Sequence, residues 1–210
     1  YQPLYIRAPE SLDFVPWLAA ELPEYDARHQ TYTVRLRPAR WSDGTPLTSE
    51  DVAFTGRLVK EFEIPRYVSK WRLVKSIETP DAATVVFHLK KPYATFLGGT
   101  LTVPIVPAHQ WKSIAAQARK SKKPLVALIN HPITQPVGSG PFVFKHWRHG
   151  NFLYLARNEH FFGSGKTIGG FTLGPYFDGI LFKNYANTDV GILALRKGEI
   201  DMYWWGIPAG

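Results

Sequence analysis

The sequence predicts a mixed α/β protein in which short strands alternate with helices. Apolar and polar residues alternate in "YTVRLR" (residues 32–37) and again in "ATVVFHL" (83–89), as expected of half-buried strands. Between them, "TSEDVAFTGRLV" has a hydroxyl residue, two acids in the first turn and then apolar residues at helical spacing. This pattern predicts a helix that begins at Thr48 or Ser49. Strands and helices therefore follow one another within a single region of the chain.

The same mixture continues towards residue 210. "WKSIAAQARK" predicts a helix, "PFVFKHW" and "NFLYLARN" predict a hairpin around "RHGN", and "FDGILFKNY" predicts a further strand. "NTDVGILALRKG" is typical of a capped helix that ends at Gly198, and "EIDMYWW" is expected to leave it as a strand. The Gly- and Pro-rich stretch 132–142 is the best candidate for a boundary between subdomains.

Composition narrows the class of protein. Of the 210 residues, 45% are hydrophobic and 20% are charged, which is typical of a folded globular chain. The most apolar region, "FLGGTLTVPIVPA", is too interrupted to form a membrane span, which needs about 20 apolar residues. The absence of cysteine excludes disulfides and thiolate sites.

A surplus of positive charge raises the hypothesis of a nucleic-acid or polyanion binder. The formal net charge is +8, and such a binder would lose affinity steeply with salt. The basic residues are scattered, however, and the densest run, "ARKSKK" (118–123), ends a predicted helix, where cations favour the helix dipole. No RNP-like, KH-like or zinc-finger pattern accompanies it, so we expect no nucleic-acid partner.

No motif for catalysis, a cofactor or a metal is found. In "WSDGTPLTSEDV", each polar residue has a local task in a turn or a helix cap, and the alternating acids of a calcium loop are missing. "GSGKT" (163–167) lacks the first glycine of a phosphate loop, because His160 stands at that position. "GSG" (138–140) lacks the spacing of a nucleophile elbow. We therefore expect a protein that is not an enzyme.

Several segments, read in order, resemble one known family. "PWLAAELPEYDARHQTYTVRLRPARWSDGTPLTSEDVAFTGRLV" resembles the signature region of family 5 extracellular solute-binding proteins, the oligopeptide, dipeptide and nickel-type receptors of ABC importers. "DAATVVFHLKKPYATFL", "PVGSGPFVF", "LARNEHFFG" and "LALRKGEIDMYWWGIP" resemble later segments of the same family in the same order. The resemblance extends over nearly the whole chain.

The resemblance implies a lobe of the periplasmic-binding-protein type II fold, with mixed sheets flanked by helices. The chain would be most of the first lobe, with residues 1–132 as a small accessory subdomain and 133–210 as part of the main α/β subdomain. The second lobe of the same protein would be absent. Two lobes of such a receptor close over a solute and deliver it to an ABC permease, so the expected location is periplasmic or extracellular, with an N-terminal lipid anchor as an alternative to a free protein.

The same resemblance suggests which residues contact the solute. The segment after "GEID" would lead into the cleft, where Asn-type side chains of peptide-binding members would be replaced by tryptophan. A flat indole stacks well but supplies a single donor, so an oligosaccharide becomes an alternative to a peptide ligand. The expected ligand-binding residues are Tyr203, Trp204, Trp205 and Gly206, with Tyr67 and Trp71 as weaker candidates for a lid.

Overall fold

The computed structural model describes residues 1–8 and 10–204 of the chain. The helices are α1 (Ser49–Glu61), α2 (Val68–Trp71), α3 (Phe96–Gly99), α4 (Ala108–Ala118), α5 (Pro124–Ile129) and α6 (Thr188–Arg196). The strands are β1 (Tyr5–Arg7), β2 (Phe14–Pro16), β3 (Glu24–Asp26), β4 (Thr31–Arg35), β5 (Val74–Asp81), β6 (Thr84–Leu89), β7 (Phe142–Arg148), β8 (Phe152–Arg157), β9 (Thr167–Ile168), β10 (Phe171–Thr172) and β11 (Gly179–Lys183). The mixed α/β class is confirmed. No helix of the described residues has the length and apolar character that a membrane crossing requires.

A four-stranded antiparallel sheet organises the first part of the chain, in the order β3-β4-β6-β5. Both strands predicted from alternating patterns lie at its centre, where Val34 of β4 pairs with Val85 of β6. Alternate residues of β6 are buried, as the sequence predicted. The core beneath the sheet includes the fully buried side chains of Trp41, Trp71 and Phe87.

A three-stranded antiparallel sheet, in the order β11-β8-β7, organises the second part. The predicted hairpin is formed by β7 and β8, and the strand predicted in "FDGILFKNY" is β11. Helix α6 follows, and Asn187 caps it by accepting a hydrogen bond from the Val190 N–H at 3.0 Å. Gly198 ends it with φ +71°, the left-handed conformation that glycine adopts without steric cost.

One buried carboxylate, that of Asp51, joins three segments of the first part. Asp51 Oδ2 accepts hydrogen bonds from the Thr48 N–H at 2.9 Å and from the indole N–H of Trp41 at 3.2 Å. Asp51 Oδ1 accepts a third from the Ala108 N–H, at 2.8 Å, in the first turn of α4. The polar residues of "WSDGTPLTSEDV" thus serve the scaffold, as predicted, but the reach of Asp51 to α4 goes beyond a local cap.

The two parts of the chain are connected through residues that lie outside both sheets. Trp17 packs edge-on against Phe162, with ring centroids 5.5 Å apart, and the Arg37 guanidinium lies 5.4 Å from the centre of the Phe162 ring. The Ser42 N–H donates to the Gly138 carbonyl at 2.8 Å, and the Gly138 N–H donates to Ser42 Oγ at 3.1 Å. The junction therefore combines aromatic packing with one backbone hydrogen bond and one hydrogen bond to the Ser42 side chain.

The two glycines of "GSG", Gly138 and Gly140, differ in their surroundings. A Cβ added at Gly140 would lie 3.2 Å from Gln2 Nε2, so that glycine does allow a close approach. A Cβ added at Gly138 would meet nothing within 4 Å, so that glycine contributes through its backbone hydrogen bonds.

One secondary-structure prediction was wrong. The segment predicted as a strand after α6 contains no strand within residues 199–204. A strand needs a neighbour to satisfy its backbone groups, and no described strand pairs with this segment. Strand β5, which the sequence analysis did not predict, forms the edge of the four-stranded sheet; five of its eight residues are exposed, and register shifts interrupt its pairing with β6.

Replacing Asp51 by Ala should strongly destabilise the protein. The change leaves the Trp41 indole, Thr48 and Ala108 donors without their acceptor, and buried unsatisfied donors cost about 1–3 kcal/mol each. We expect a loss of at least about 3 kcal/mol in the free energy of unfolding, measured by urea denaturation. Glu50→Ala, which removes an exposed acid next to it in α1, is the control and should cost about 1 kcal/mol or less. Equal losses for both variants would contradict this role of Asp51.

Replacing Gly56 by Ala should also destabilise the protein, although alanine normally favours a helix by about 1 kcal/mol over glycine. A Cβ at this position would lie 2.4 Å from Cζ3 of Trp71 and 2.7 Å from Cδ1 of Ile77. We expect a loss of about 1–3 kcal/mol in the free energy of unfolding. Because Trp71 supplies the nearest atoms, the double variant G56A/W71F should lose less than the sum of the single changes. A stabilising Gly56→Ala would overturn this packing argument.

Candidate functional site

The segment that follows α6 is positioned by contacts on two sides. The Glu199 N–H donates to the Ala194 carbonyl at 2.9 Å, which closes the end of the helix. The Glu199 carbonyl in turn accepts a hydrogen bond from Lys183 Nζ, at the end of β11, at 3.3 Å. The chain is therefore held between the helix and the three-stranded sheet as it approaches residue 203.

Tyr203 and Trp204 have contrasting environments. Tyr203 is half-buried against α6, where a Cβ added at Gly191 would lie 2.6 Å from Cε2 of the tyrosine. Trp204 is 79% exposed, more than any other large hydrophobic side chain of the described residues. Trp205 and Gly206 lie outside the described residues. The segment thus anchors one aromatic ring and presents the next one to solvent.

Tyr67 and Trp71 lie in another part of the molecule, at either end of α2. The Tyr67 side chain is half-buried and packs against the core below the four-stranded sheet. Trp71 is only 1% exposed, and its ring centroid lies 6.1 Å from that of Phe87. The buried ring of Trp71 packs in the core, in contrast to the lid position that the sequence suggested for it.

An open pocket of about 550 Å³ lies on the three-stranded sheet, next to the segment after α6. Its apolar walls include Phe152, Tyr154, Leu181 and Tyr185, and its polar groups are those of His146, Asn151, Lys183 and Asn184. Lys183 also donates to the Glu199 carbonyl, so this lysine connects the pocket wall to the segment that follows α6. Apolar walls with a few polar groups are typical of small-molecule sites, and a lysine ammonium can bind a carboxylate.

A second open pocket, of about 530 Å³, lies at the junction between the two parts. It is lined by residues 36–40, 46–48, 82–83 and 159–162, including the charged side chains of Arg37, Arg40 and Glu159. Arg37 is committed to the scaffold, because its Nε donates to the Ala19 carbonyl at 3.1 Å. None of the described ligand-binding residues suggested by the sequence lines either pocket. The first pocket is the better candidate because its Lys183 bonds to Glu199, in the segment that leads to Tyr203 and Trp204.

The titratable side chains near the junction form a structural pair. Asp43 Oδ2 and His109 Nε2 lie 2.8 Å apart, and Thr45 donates to Asp43 Oδ1 from both its N–H and its hydroxyl. Partial burial raises the pKa of Asp43, but the hydrogen bonds from Thr45 and His109 outweigh this effect and leave the pKa below its ordinary value. In the part of the chain that the structure describes, no three His, Cys, Asp or Glu side chains are grouped so that they could hold a metal ion.

Two exposed aromatic residues were missed by the sequence analysis. Tyr176 is 70% exposed and Phe177 is 66% exposed, just before β11. The hydroxyl of Tyr176 donates to the Thr172 carbonyl at 2.7 Å, which fixes the ring above the loop. The signal available in the sequence was a pair of adjacent aromatics after the Gly-Pro dipeptide in "GPYF".

Comparison with known proteins gives a family match over nearly the entire chain. Residues 13–210 match the model of bacterial extracellular solute-binding proteins, family 5 Middle. Protein XP55 of Streptomyces lividans is 34% identical over 192 residues, which are 90% of this chain and 31% of that protein. The oligopeptide-binding protein AppA of Bacillus subtilis is 27% identical over 209 residues, which are 97% of this chain and 34% of AppA. The chain therefore spans about a third of the length of these curated relatives.

Solved structures share the fold. The structure of Bacillus subtilis AppA in complex with a nonapeptide matches 95% of this chain and 37% of its own, with a TM-score of 0.71 and 25% identity. A periplasmic oligopeptide-binding protein of an oligopeptide ABC transporter from Thermotoga maritima, bound to mannohexaose, matches 95% of this chain and 34% of its own, with a TM-score of 0.75 and 29% identity. The fold is thus that of part of a periplasmic binding protein of type II, as the sequence predicted. The chain belongs to the family 5 bacterial extracellular solute-binding proteins.

Proposed function

We propose that this chain is part of the substrate-binding component of an ABC importer, which captures oligopeptides between two lobes and delivers them to a membrane permease. The observation that carries the proposal is the match of 95% of the chain to AppA in complex with a nonapeptide. Such a receptor works outside the cytoplasmic membrane, in the periplasm or the extracellular space. It binds its solute without breaking bonds, so the proposal assigns no catalytic role to any residue.

The arrangement of the chain supports a division of the first lobe into two subdomains. The four-stranded sheet and helices α1 to α5 lie within residues 1–132, the proposed first subdomain. The three-stranded sheet and α6 lie within residues 133–204, the described part of the proposed second subdomain. In this proposal the second lobe of the same protein lies across a cleft from Tyr203 and Trp204. A solute that contacts both lobes stabilises the closed form through contacts that the open form lacks.

The ligand site of this lobe would combine the segment after α6 with the pocket beside it. Trp204 offers an exposed apolar ring, and Lys183 offers a cation that can bind the carboxylate of a peptide. Asn151 and Asn184 offer amide groups that can donate to and accept from peptide groups. These groups suit a peptide better than a purely apolar solute.

An oligosaccharide is the second candidate ligand. One observation favours it: the Thermotoga maritima relative, which is named oligopeptide-binding, is bound to mannohexaose. The exposed indole of Trp204, followed in the sequence by Trp205, offers flat apolar faces that stack on sugar rings. The two candidates differ in the carboxylate, which a peptide carries and a neutral oligosaccharide lacks.

Isothermal titration calorimetry of the protein that contains this chain distinguishes the candidates. We expect binding of nonapeptides with a dissociation constant in the micromolar range or below, and no measurable binding of mannohexaose at the same concentrations. The reverse result would replace the peptide by an oligosaccharide. Binding of neither class would contradict the proposed function.

Replacement of Trp204 by Ala in the same protein tests the role of the exposed indole. The loss of a stacked ring should weaken peptide binding roughly tenfold, because a buried aromatic contact contributes about 0.5–1.5 kcal/mol beyond the burial of its area. Trp147→Ala is the matched control, since Trp147 is 60% exposed on β7 and is not part of the proposed site. The control should bind peptide with unchanged affinity. Equal affinities of the Trp204 variant and the parent protein would remove Trp204 from the site.

A further inference from the structure

Helices α1 and α4 are parallel and end on the same side of the molecule. Their N-terminal ends meet where Asp51 accepts the Ala108 N–H at 2.8 Å. Their C-terminal ends meet where Arg119 Nη2 donates to Glu61 Oε2, also at 2.8 Å. The residues that follow each helix are therefore neighbours in space, although more than 50 residues separate them in the chain.

Lysines from the sheet join the same end. Lys60, in the last turn of α1, donates from Nζ to the Val74 carbonyl at 3.0 Å at the start of β5. The Lys90 N–H donates to the Leu73 carbonyl at 2.9 Å, which places Lys90 beside the start of β5 as well. Burial lowers the pKa of Lys60, and the nearby charge of Lys90 lowers it further. Like charges are thus crowded at this end.

We define the basic end by eight exposed cationic residues that these contacts bring to one side of the molecule. They are Lys60, Arg72, Lys75, Lys90, Lys91, Lys120, Lys122 and Lys123. Among the described residues, none of the eight forms an ion pair, whereas Arg35, Arg57, Arg119 and Arg157 each do. Segments 60–75, 89–91 and 119–129, which contain these cations, include two acids, Glu61 and Glu63. Glu61 is bound by Arg119, which leaves Glu63 to balance the eight cations.

Exposed apolar side chains adjoin the basic end. Helix α5 starts directly after Lys123, and its residues Val126 and Ile129 are 49% and 64% exposed. Exposed aliphatic side chains beside lysines are typical of surfaces that lie on a lipid bilayer, where cations meet the headgroups and apolar groups reach the acyl boundary. No exposed large aromatic side chain of the described residues lies in segments 60–75, 89–91 or 119–129, so the basic end lacks a platform on which nucleobases could stack.

We infer that the basic end is a docking surface for an anionic lipid bilayer. It would hold the receptor on the outer face of the membrane in which the proposed permease lies, with the lysines on phospholipid headgroups and α5 at the interface. Seven of the eight cations are lysines, which act as point charges without the fork of arginine and so suit a diffuse array of headgroups. This inference rests on the proposed location outside the cytoplasmic membrane, but it does not depend on the identity of the solute.

Co-sedimentation of the protein that contains this chain with lipid vesicles tests the inference. We expect binding to vesicles of phosphatidylglycerol and phosphatidylcholine, little binding to phosphatidylcholine alone, and loss of binding at 0.5 M salt, because screening shortens the reach of surface charges. Each cation near an anionic surface contributes roughly fivefold to partitioning. The variant K75E/K90E/K122E should therefore bind anionic vesicles more than tenfold more weakly. The control K145E/K166E/K197E changes the net charge equally at exposed sites in the second part of the chain and should retain most of the binding.

A substitution in α5 separates a membrane from a nucleic acid as the partner. Ile129→Ser should weaken binding to anionic vesicles about threefold to fivefold, because the exposed aliphatic group no longer enters the interface. Binding of the same variant to duplex DNA should not change. Circular dichroism of all variants verifies the fold. Equal binding to both vesicle types, equal losses in the two triple variants, or tighter binding to DNA than to anionic vesicles would overturn the inference. Peptide binding is measured separately by calorimetry. If the protein bound no peptide, the proposed function would fail, but the vesicle experiments would still test the basic end.

Discussion

The buried carboxylate of Asp51 is the interaction on which the first part of the structure depends. Asp51 is 4% exposed, and a charge removed from water to this extent is tolerated only when hydrogen bonds replace its hydration. Three N–H donors do so, from the loop at Trp41, from the start of α1 and from the start of α4. A hydrogen bond to a charged group contributes about 1.5–3 kcal/mol, so the three together rival the net stability of a small domain. This one side chain thereby fixes the starts of α1 and α4 relative to each other and to the loop at Trp41.

A second consequence of this connection is electrostatic. Because α1 and α4 start at the same carboxylate, their dipoles point in the same direction and their negative ends lie side by side. Cations at helix C-termini are favoured by the dipole, and here two such termini share one surface. The lysines after α4 therefore stabilise the helix end, as the sequence suggested, and the arrangement of the two helices also concentrates charge on one side. The run at 118–123 can therefore stabilise the end of α4 and also belong to the basic end.

The elements that the sequence predicted correctly are those with strong local signals. The central strands β4 and β6 have clean alternation, α1 has Thr48 and two acids at its start, and α6 lies between Asn187 and Gly198. Strand β5 was missed because it is an edge strand with five of its eight residues exposed, so that its apolar pattern is weak. The bond from Asp51 to Ala108 spans 57 residues, and no local pattern encodes such a contact. It depends on how α1 and α4 pack in the folded chain.

The candidate site was less predictable than the fold, because the sequence around a tryptophan does not reveal whether its side chain is buried or exposed. Trp71 and Trp204 were both proposed as ligand contacts, yet one is buried beside a glycine that leaves room for its ring and the other is almost fully exposed. The difference has an energetic meaning. An indole has roughly 200 Å² of surface, so burying most of the exposed Trp204 ring could release up to about 4 kcal/mol at about 25 cal/mol per Å². In the proposed function, this free energy is gained only when a solute and the second lobe cover the ring, so it favours the closed, loaded state over the open, empty one.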